Sequence, residues 1–122
     1  MRILPVTEKW PKLKQPRWTT FRLERKDKDW QVGEIVQVVY QPRRKGGGEK
    51  LGIAKIVDKE TRYLELPAII KAMNHYQRAV DEAKEDGFNS YDEMWEWLWA
   101  HHGKDLFKRL LNKLTLEWVE RS

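Results

Sequence analysis

Three side chains that could bind or transform a ligand alternate along one short segment near the N-terminus: an indole, a hydroxyl and a guanidinium. If this segment is a β-strand, residues two apart point to the same face. Trp18, Thr20 and Arg22 then share one face, and Phe21 and Leu23 share the other. A flat ring, a hydroxyl and a fixed cation suit a polar cleft. The spacing predicts a strand with one core face and one ligand-facing side, although such residues also occur on ordinary strand surfaces.

A second basic segment lies in the glycine-rich stretch 41–50, between two predicted strands. Its Arg43, Arg44 and Lys45 side chains could contact a backbone phosphate without reading base sequence. A solvated hairpin tip is the alternative interpretation. The stretch lacks the GxxxxGK[ST] spacing of a P-loop, which excludes that class of nucleoside triphosphate site.

The residues that usually hold metals are scarce in this chain. There is no cysteine, which excludes disulfides, thiolate chemistry and Cys-ligated zinc. His101 and His102 are adjacent at a predicted helix end and lie about 100° apart around its axis, so they are poorly placed to share one metal. We therefore predict neither a metal nor a cofactor.

The positive charge of the chain is confined to its first half. Residues 1–57 hold 14 Lys and Arg against 6 Asp and Glu, whereas residues 58–122 hold 10 against 13. A concentrated basic excess favours a polyanion partner, of which nucleic acid is the commonest in the cytosol. A thermophile surface rich in Lys and Glu would look similar, so both explanations stay open.

Size and hydropathy predict a single domain over residues 1–122. The length of 122 residues suffices for one hydrophobic core without disulfides or a metal. No apolar run approaches 18 residues, and the chain does not open on a signal-peptide pattern. We therefore expect a cytoplasmic protein with no membrane partner.

Hydrophobic periodicity places strands early in the chain and helices late. Pro67 suits the start of one helix, and Ser90 with Glu93 forms a capping-box pattern at the start of another. Strands are predicted at 1–4, 18–24, 32–40, 51–57, 62–66 and 113–119, and helices at 7–14, 67–85, 90–102 and 105–111. This order indicates an α+β fold, a small barrel of about five to six strands with helices packed against it.

Taken together, these segments resemble the ASCH domain family, which is related to the PUA-like RNA-binding barrels. The resemblance rests on Thr20-x-Arg22, Trp30-Gln-Val-Gly-Glu-Ile-Val-Gln-Val38, Leu51-Gly-Ile-Ala-Lys-Ile-Val57, Asp86-Gly-Phe-Asn-Ser90 with Glu93, and Leu114-Thr-Leu-Glu-Trp118. It spans nearly the whole chain. It implies a β-barrel whose cleft lies between the Thr-x-Arg strand and a helix bearing an acidic residue. Family members are thought to hold RNA or a nucleoside there; some hydrolyse acetylated cytidine, and others are reported as ribonucleases.

The amidohydrolase branch of that family carries Lys-x-x-Thr-x-Arg and a Glu. Thr20 and Arg22 match two of these positions, and Glu93 matches the acid, although its capping role explains it equally well. Arg17 stands at the lysine position, and a guanidinium cannot accept a proton at any working pH. Lys14, the nearest lysine, would lie roughly 20 Å from the hydroxyl in an extended chain. The departure weakens the expectation of an enzyme and leaves that of binding intact.

The first expectation is therefore a non-catalytic RNA-binding ASCH module that recognises single-stranded RNA or a nucleotide in a basic cleft. Trp18 would stack an unpaired base, while Arg17 and Arg22 hold phosphate or base edges. The basic loop residues 43–45 would extend the contact along the backbone.

Two other classes remain open. A small hydrolase of a modified nucleoside or of RNA would use Thr20 and Glu93 as catalytic residues. A protein-interaction adaptor would use Trp97, which falls away from the apolar stripe of its predicted helix, together with the acidic second half of the chain.

Overall fold

The structure, a computed structural model, describes residues 1–43, 46–63, 66–72 and 76–121, with residues 107 and 108 described by their backbone alone. It is an α+β fold with a five-stranded sheet. The strands are β1 (Arg2–Val6), β2 (Arg17–Leu23), β3 (Ile35–Tyr40), β4 (Glu49–Arg62) and β5 (Leu111–Arg121). The helices are α1 (Pro67–Ala72), α2 (Tyr76–Glu85), α3 (Tyr91–His102) and α4 (Asp105–Lys108), and a 3₁₀ helix spans Pro11–Lys14.

The sheet curls into a half-barrel with strand order β1-β3-β4-β5-β2. The β1–β3 pair is parallel, and the other three pairs are antiparallel. Strands β1 and β2 are therefore the two edges, and no ladder joins them in the described part of the chain. We call the gap between these two edge strands the seam.

Apolar side chains cover both faces of the sheet, in two separate clusters. The first fills the inside of the half-barrel and contains Leu4, Val6, Leu13, Trp18, Trp30, Val36, Val38, Ala54, Ile56, Leu114 and Leu116. The second lies under the helices and contains Phe21, Leu23, Ala83, Phe88, Tyr91, Met94, Leu98, Leu106 and Leu111. Because burial on both faces fixes strand register, a one-residue slip of β2 would move both sets of side chains off their clusters.

Successive side chains of β2 point to opposite faces of the sheet, and its core face is the one that the sequence spacing predicted. Phe21 and Leu23 are buried against the helices, which confirms the predicted core face. Trp18, on the opposite face, is also buried, because it packs into the inside of the half-barrel and against the ring of Trp118 at 5.5 Å.

One strand replaces the two predicted at 51–57 and 62–66. Strand β4 runs without a break to Arg62, because residues 58–62 continue the ladder with β5. A β-bulge between Ile56 and Asp58 shifts the register there. The sequence prediction placed a break near residues 58–61, which are all polar. Residues 64 and 65 lie outside the described part.

The helices differ from the sequence prediction at three places. The helix predicted at 105–111 was too long, because α4 ends at Lys108 and β5 begins at Leu111. The predicted helix at 7–14 was wrong in its start, because the 3₁₀ helix begins at Pro11, whose ring fixes φ and suits a first helical position. The predicted helix at 67–85 is described as two helices, and residues 73–75 between them lie outside the described part.

The prediction for α3 is confirmed. Ser90 Oγ accepts a hydrogen bond from the backbone N–H of Glu93 at 3.1 Å, which caps the helix. Gly103 ends it with a φ of +56°, a conformation that glycine adopts without strain. Of the helices the structure describes, none is both long enough and apolar enough to span a bilayer.

Candidate functional site

A cavity of about 310 Å³ lies where the half-barrel fails to close. Pro5 and Val6 from the end of β1 line one side, and residues 20–23 of β2 line the other. The 3₁₀ helix, the turn after α2 and the C-terminal half of α3 complete the wall. We call this cavity the seam pocket. Its volume lies at the lower end of the range of small-molecule sites.

Of the charged side chains that line the seam pocket, Arg22 is the one without a neighbouring opposite charge at ion-pair distance among the described residues. Its Nε donates a hydrogen bond to Thr20 Oγ1 at 3.3 Å, and no carboxylate of the described residues lies within 4.0 Å of its guanidinium. Burial lowers the pKa of Arg22 to about 10, and Asp86 acts in the opposite direction. A guanidinium with that pKa is still protonated at pH 7, so its remaining N–H groups are donors for a ligand.

A buried ion pair joins the 3₁₀ helix to the end of α2 at the pocket wall. Lys12 Nζ donates to Asp86 Oδ1 at 3.0 Å, and Thr19 Oγ1 donates to the same oxygen at 3.1 Å. Burial lowers the pKa of Lys12 and raises that of Asp86, while their mutual attraction opposes both shifts. Both hydrogen bonds end on Oδ1, and Oδ2 of Asp86 accepts no hydrogen bond from a described residue.

Local backbone geometry brings this pair together. Asp86 closes the last turn of α2 through a hydrogen bond from its N–H to Glu82 O at 3.1 Å. Gly87 then turns the chain with a φ of +107° and packs under Trp10, since a Cβ at this glycine would lie 3.3 Å from the indole ring. The close approach holds the start of the 3₁₀ helix against the end of α2.

Aromatic rings form a second wall of the seam pocket. Trp97 stacks on His101 with ring centroids 3.8 Å apart, and Trp10 meets Trp97 edge-on at 5.8 Å. Phe88 packs between these tryptophans, 5.2 Å from Trp10 and 5.9 Å from Trp97. Such a wall offers flat, polarisable surface to a planar ligand.

The two histidines at the end of α3 differ in their environment. His101 Nδ1 lies 2.8 Å from the carbonyl oxygen of Trp97, and since a carbonyl only accepts, Nδ1 carries the proton. In the neutral ring the other nitrogen, Nε2, is then an acceptor. Burial lowers the pKa of His102, and the nearby His101 and Arg22 lower it further, so His102 is neutral at pH 7.

The formal charges around the seam pocket are unequal. Four cations, Lys12, Arg22, Arg25 and Arg109, line it together with one carboxylate, that of Asp86. Arg25 and Arg109 have carboxylate partners outside the cavity, Asp27 at 3.2 Å and Asp105 at 4.0 Å, so Arg22 is the main source of the excess. A concave site lined mainly by one sign of charge attracts ligands of the opposite sign. The arrangement can therefore hold an anion beside a planar group.

The structure brings together only part of the set of residues predicted from sequence. Thr20 and Arg22 line the seam pocket, and Trp18 lies in its wall with 3 % of its surface exposed. Arg17 lies outside the pocket, where it forms an exposed ion pair with Glu117 at 3.0 Å. The indole of Trp18 is packed in the core and does not offer an open ring face.

Glu93 and Arg43 do not line the seam pocket. Glu93 is exposed on the first turn of α3 and does not line the cavity. Arg43 is exposed as well. Arg44 and Lys45 fall outside the described residues.

Sequence reasoning missed Lys12 and Asp86, the two residues that supply the buried ion pair. Lys12 lay inside the short helix predicted at 7–14, and Asp86-Gly87 was interpreted as the end of the helix predicted at 67–85. The available signal was the acidic residue that opens Asp86-Gly-Phe-Asn-Ser90, a segment that also carries the ASCH resemblance.

Among the residues the structure describes, no group of three or more His, Asp or Glu side chains could hold a metal ion. Comparisons with protein-family models, with curated proteins and with solved structures find no match for this chain. The geometry of the seam pocket is therefore the basis for the function proposed below.

Proposed function

We propose that this protein binds single-stranded RNA and holds one unpaired nucleotide in the seam pocket. The observation that carries the proposal is the partly buried Arg22 guanidinium, which has no carboxylate partner within 4.0 Å among the described residues and lies in an aromatic-walled cavity. Removing a guanidinium from water without a direct carboxylate partner is costly, so a bound anion or carbonyl oxygen is favoured beside Arg22.

The aromatic wall supports a base as the planar part of the ligand. Trp10 and Trp97 are partly exposed and line the cavity, in contrast to the core-packed Trp18. These two rings, and not Trp18, would therefore stack on the base. A stacked base contributes about 1 to 3 kcal/mol to binding of single-stranded nucleic acid.

The polar groups support recognition of a base edge or a phosphate. Arg22 donates only, whereas Asp86 Oδ2 is an unused acceptor on the same cavity wall. Base edges present both donors and acceptors, and phosphates present acceptors alone. A nucleotide therefore satisfies both side chains, whereas a simple inorganic anion satisfies only the cations.

The decisive measurement is the affinity of a short single-stranded RNA at low salt, followed by fluorescence anisotropy. Arg22→Ala removes charge-assisted hydrogen bonds worth about 1.5 to 3 kcal/mol each, so we expect the Kd to rise about tenfold to a hundredfold. Arg78→Ala is the matched control, because Arg78 carries the same charge on α2 and its side chain is 75 % exposed. If the two variants bind equally, or if wild type does not bind, the proposal fails.

We further propose that the half-barrel belongs to the ASCH group of PUA-like folds. The support is that Thr20 and Arg22, which carry the Thr-x-Arg resemblance, are neighbours in the cavity and joined by a hydrogen bond. The acidic residue of the cavity is Asp86, whereas Glu93 was the residue expected from the resemblance.

A small hydrolase is the second candidate function, and Lys12 is the observation that favours it. The expected lysine position holds Arg17, but Lys12 lines the cavity together with Thr20. Burial lowers the pKa of Lys12, which favours the deprotonated amine that a general base requires. Incubation with acetylcytidine, followed by chromatography, tests this function. Turnover that is lost in both Lys12→Met and Thr20→Ala would support it, and no turnover by the wild type would rule it out for this substrate.

A further inference from the structure

A second cavity lies on the far side of the Lys12–Asp86 pair. It occupies about 730 Å³ between the 3₁₀ helix, the β2–β5 edge of the sheet and the turn after α2. Lys12, Trp18 and Phe88 line both this cavity and the seam pocket. The two cavities therefore share a wall, and we call the second one the basic groove.

The groove is more polar than the seam pocket and carries hydrogen-bonding groups without partners. Lys84 is exposed at the end of α2 and has no carboxylate within 4.0 Å among the described residues. The side-chain amides of Gln15 and Asn89 line the groove and make no hydrogen bond to a described residue. Donors of this kind commonly contact sugar and phosphate oxygens.

The remaining charges of the groove are already paired. Arg17 contacts Glu117 at 3.0 Å. Lys113 contacts Glu82 at 2.9 Å and also lies 3.8 Å from Glu85, the carboxylate that lines the groove. Lys12, in the shared wall, is paired with Asp86. Of the described cations that line the groove, Lys84 is therefore the one that is available to an added anion. The described lining of the groove includes one tryptophan, the buried Trp18, so the groove suits a backbone better than a stacked base.

We propose that the basic groove holds the sugar and phosphate of the nucleotide next to the one in the seam pocket, so that the ligand is an RNA chain and not a free nucleotide. This inference rests on the proposed function of the seam pocket. Its own support is the shared wall, the unpaired Lys84 and the two free amides. Grooves that follow a single-stranded backbone combine such cations with neighbouring stacking sites.

The test compares one nucleotide with a chain. The probes are the four nucleoside 5′-monophosphates and a six-nucleotide RNA pool that carries every base at each position, titrated against the full chain by calorimetry at low salt. We expect the hexamer pool to bind about tenfold to a hundredfold more tightly than the best monophosphate. Equal affinity for both probes would overturn the inference and leave the seam-pocket proposal standing.

Charge reversal locates the extra contact. Lys84→Glu should remove most of the advantage of the hexamer while leaving monophosphate affinity within about twofold, because Lys84 lines the groove but not the seam pocket. Arg78→Glu changes the net charge by the same amount on the same helix and should preserve the advantage.

The variants also separate the two proposals. A hexamer advantage that survives Lys84→Glu, or that falls equally in Arg78→Glu, overturns the groove assignment alone. Absence of binding of every probe by the wild type overturns the seam-pocket proposal, and the groove assignment with it. In the supporting case the salt slope of hexamer binding should fall by about 0.7 in Lys84→Glu, the value for one lost phosphate contact on a single strand.

Discussion

Breaking the buried Lys12–Asp86 pair should destabilise the fold far more than breaking an exposed pair of the same length. The two charged atoms lie 3.0 Å apart, and the side chains are only 8 % and 7 % exposed. At an effective dielectric constant of about 20, charges at that separation attract by about 5.5 kcal/mol. Removing one partner leaves the other charge buried, which typically costs about 3 to 5 kcal/mol.

The perturbations are Asp86→Ala, Lys12→Met and the double variant, measured by urea unfolding. Each single variant should lower the free energy of unfolding by about 3 to 5 kcal/mol with an unchanged m-value. The double variant removes both buried charges together, so it should lose at least about 2 kcal/mol less than the sum of the single losses.

The chain offers a matched control in Arg17 and Glu117. Their charged atoms also lie 3.0 Å apart, but the side chains are 64 % and 50 % exposed. Arg17→Met should therefore cost less than about 1 kcal/mol. Because the distance is the same in the two pairs, the comparison tests whether burial causes the larger loss of stability. Additive losses for the buried pair, or equal losses for the two pairs, would refute the reasoning.

Four further predictions concern single positions outside the seam pocket. Arg2 donates two hydrogen bonds to Glu34 and lowers its pKa, so stability should be lost as the pH falls from 4.5 through the lower folded pKa, and Glu34→Gln should flatten that part of the urea-measured profile. Gly52 has a φ of +152°, and a Cβ there would meet a backbone carbonyl of β5, so Gly52→Ala should cost more than about 1 kcal/mol in thermal unfolding. Ser90→Ala should cost about 1 kcal/mol through the lost cap of α3. Glu93→Ala should change stability by less than about 0.5 kcal/mol and leave RNA affinity unchanged; a clear loss of RNA affinity would return Glu93 to the site.

The sequence was sufficient to predict the elements that are determined by residues close together in the chain. The capping hydroxyl of Ser90 and the permissive backbone of Gly103 define α3, and both act within one helical turn. The two-residue period of β2 was sufficient to pair Thr20 with Arg22, because alternation along a strand needs no tertiary information.

Contacts between residues far apart in the sequence could not be predicted from the sequence pattern. Lys12 and Asp86 are 74 residues apart, and nothing local to either marks them as partners. Each has an ordinary explanation in its own segment, as a solvated charge and as a helix end. The bulge between Ile56 and Asp58 was missed for a related reason, since a register shift is defined only against the neighbouring strand.

The unjoined edges of the half-barrel have a consequence for how the ligand site could change over evolution. A closed barrel has its bore set by strand number and shear, which no single substitution alters. Here part of the cavity wall consists of side chains from β1 and β2 that lie outside the two core clusters, among them Pro5 and Arg22. Exchanging one such side chain for a smaller or larger one would resize the opening without disturbing any backbone ladder, so ligand size is an adjustable property of this scaffold.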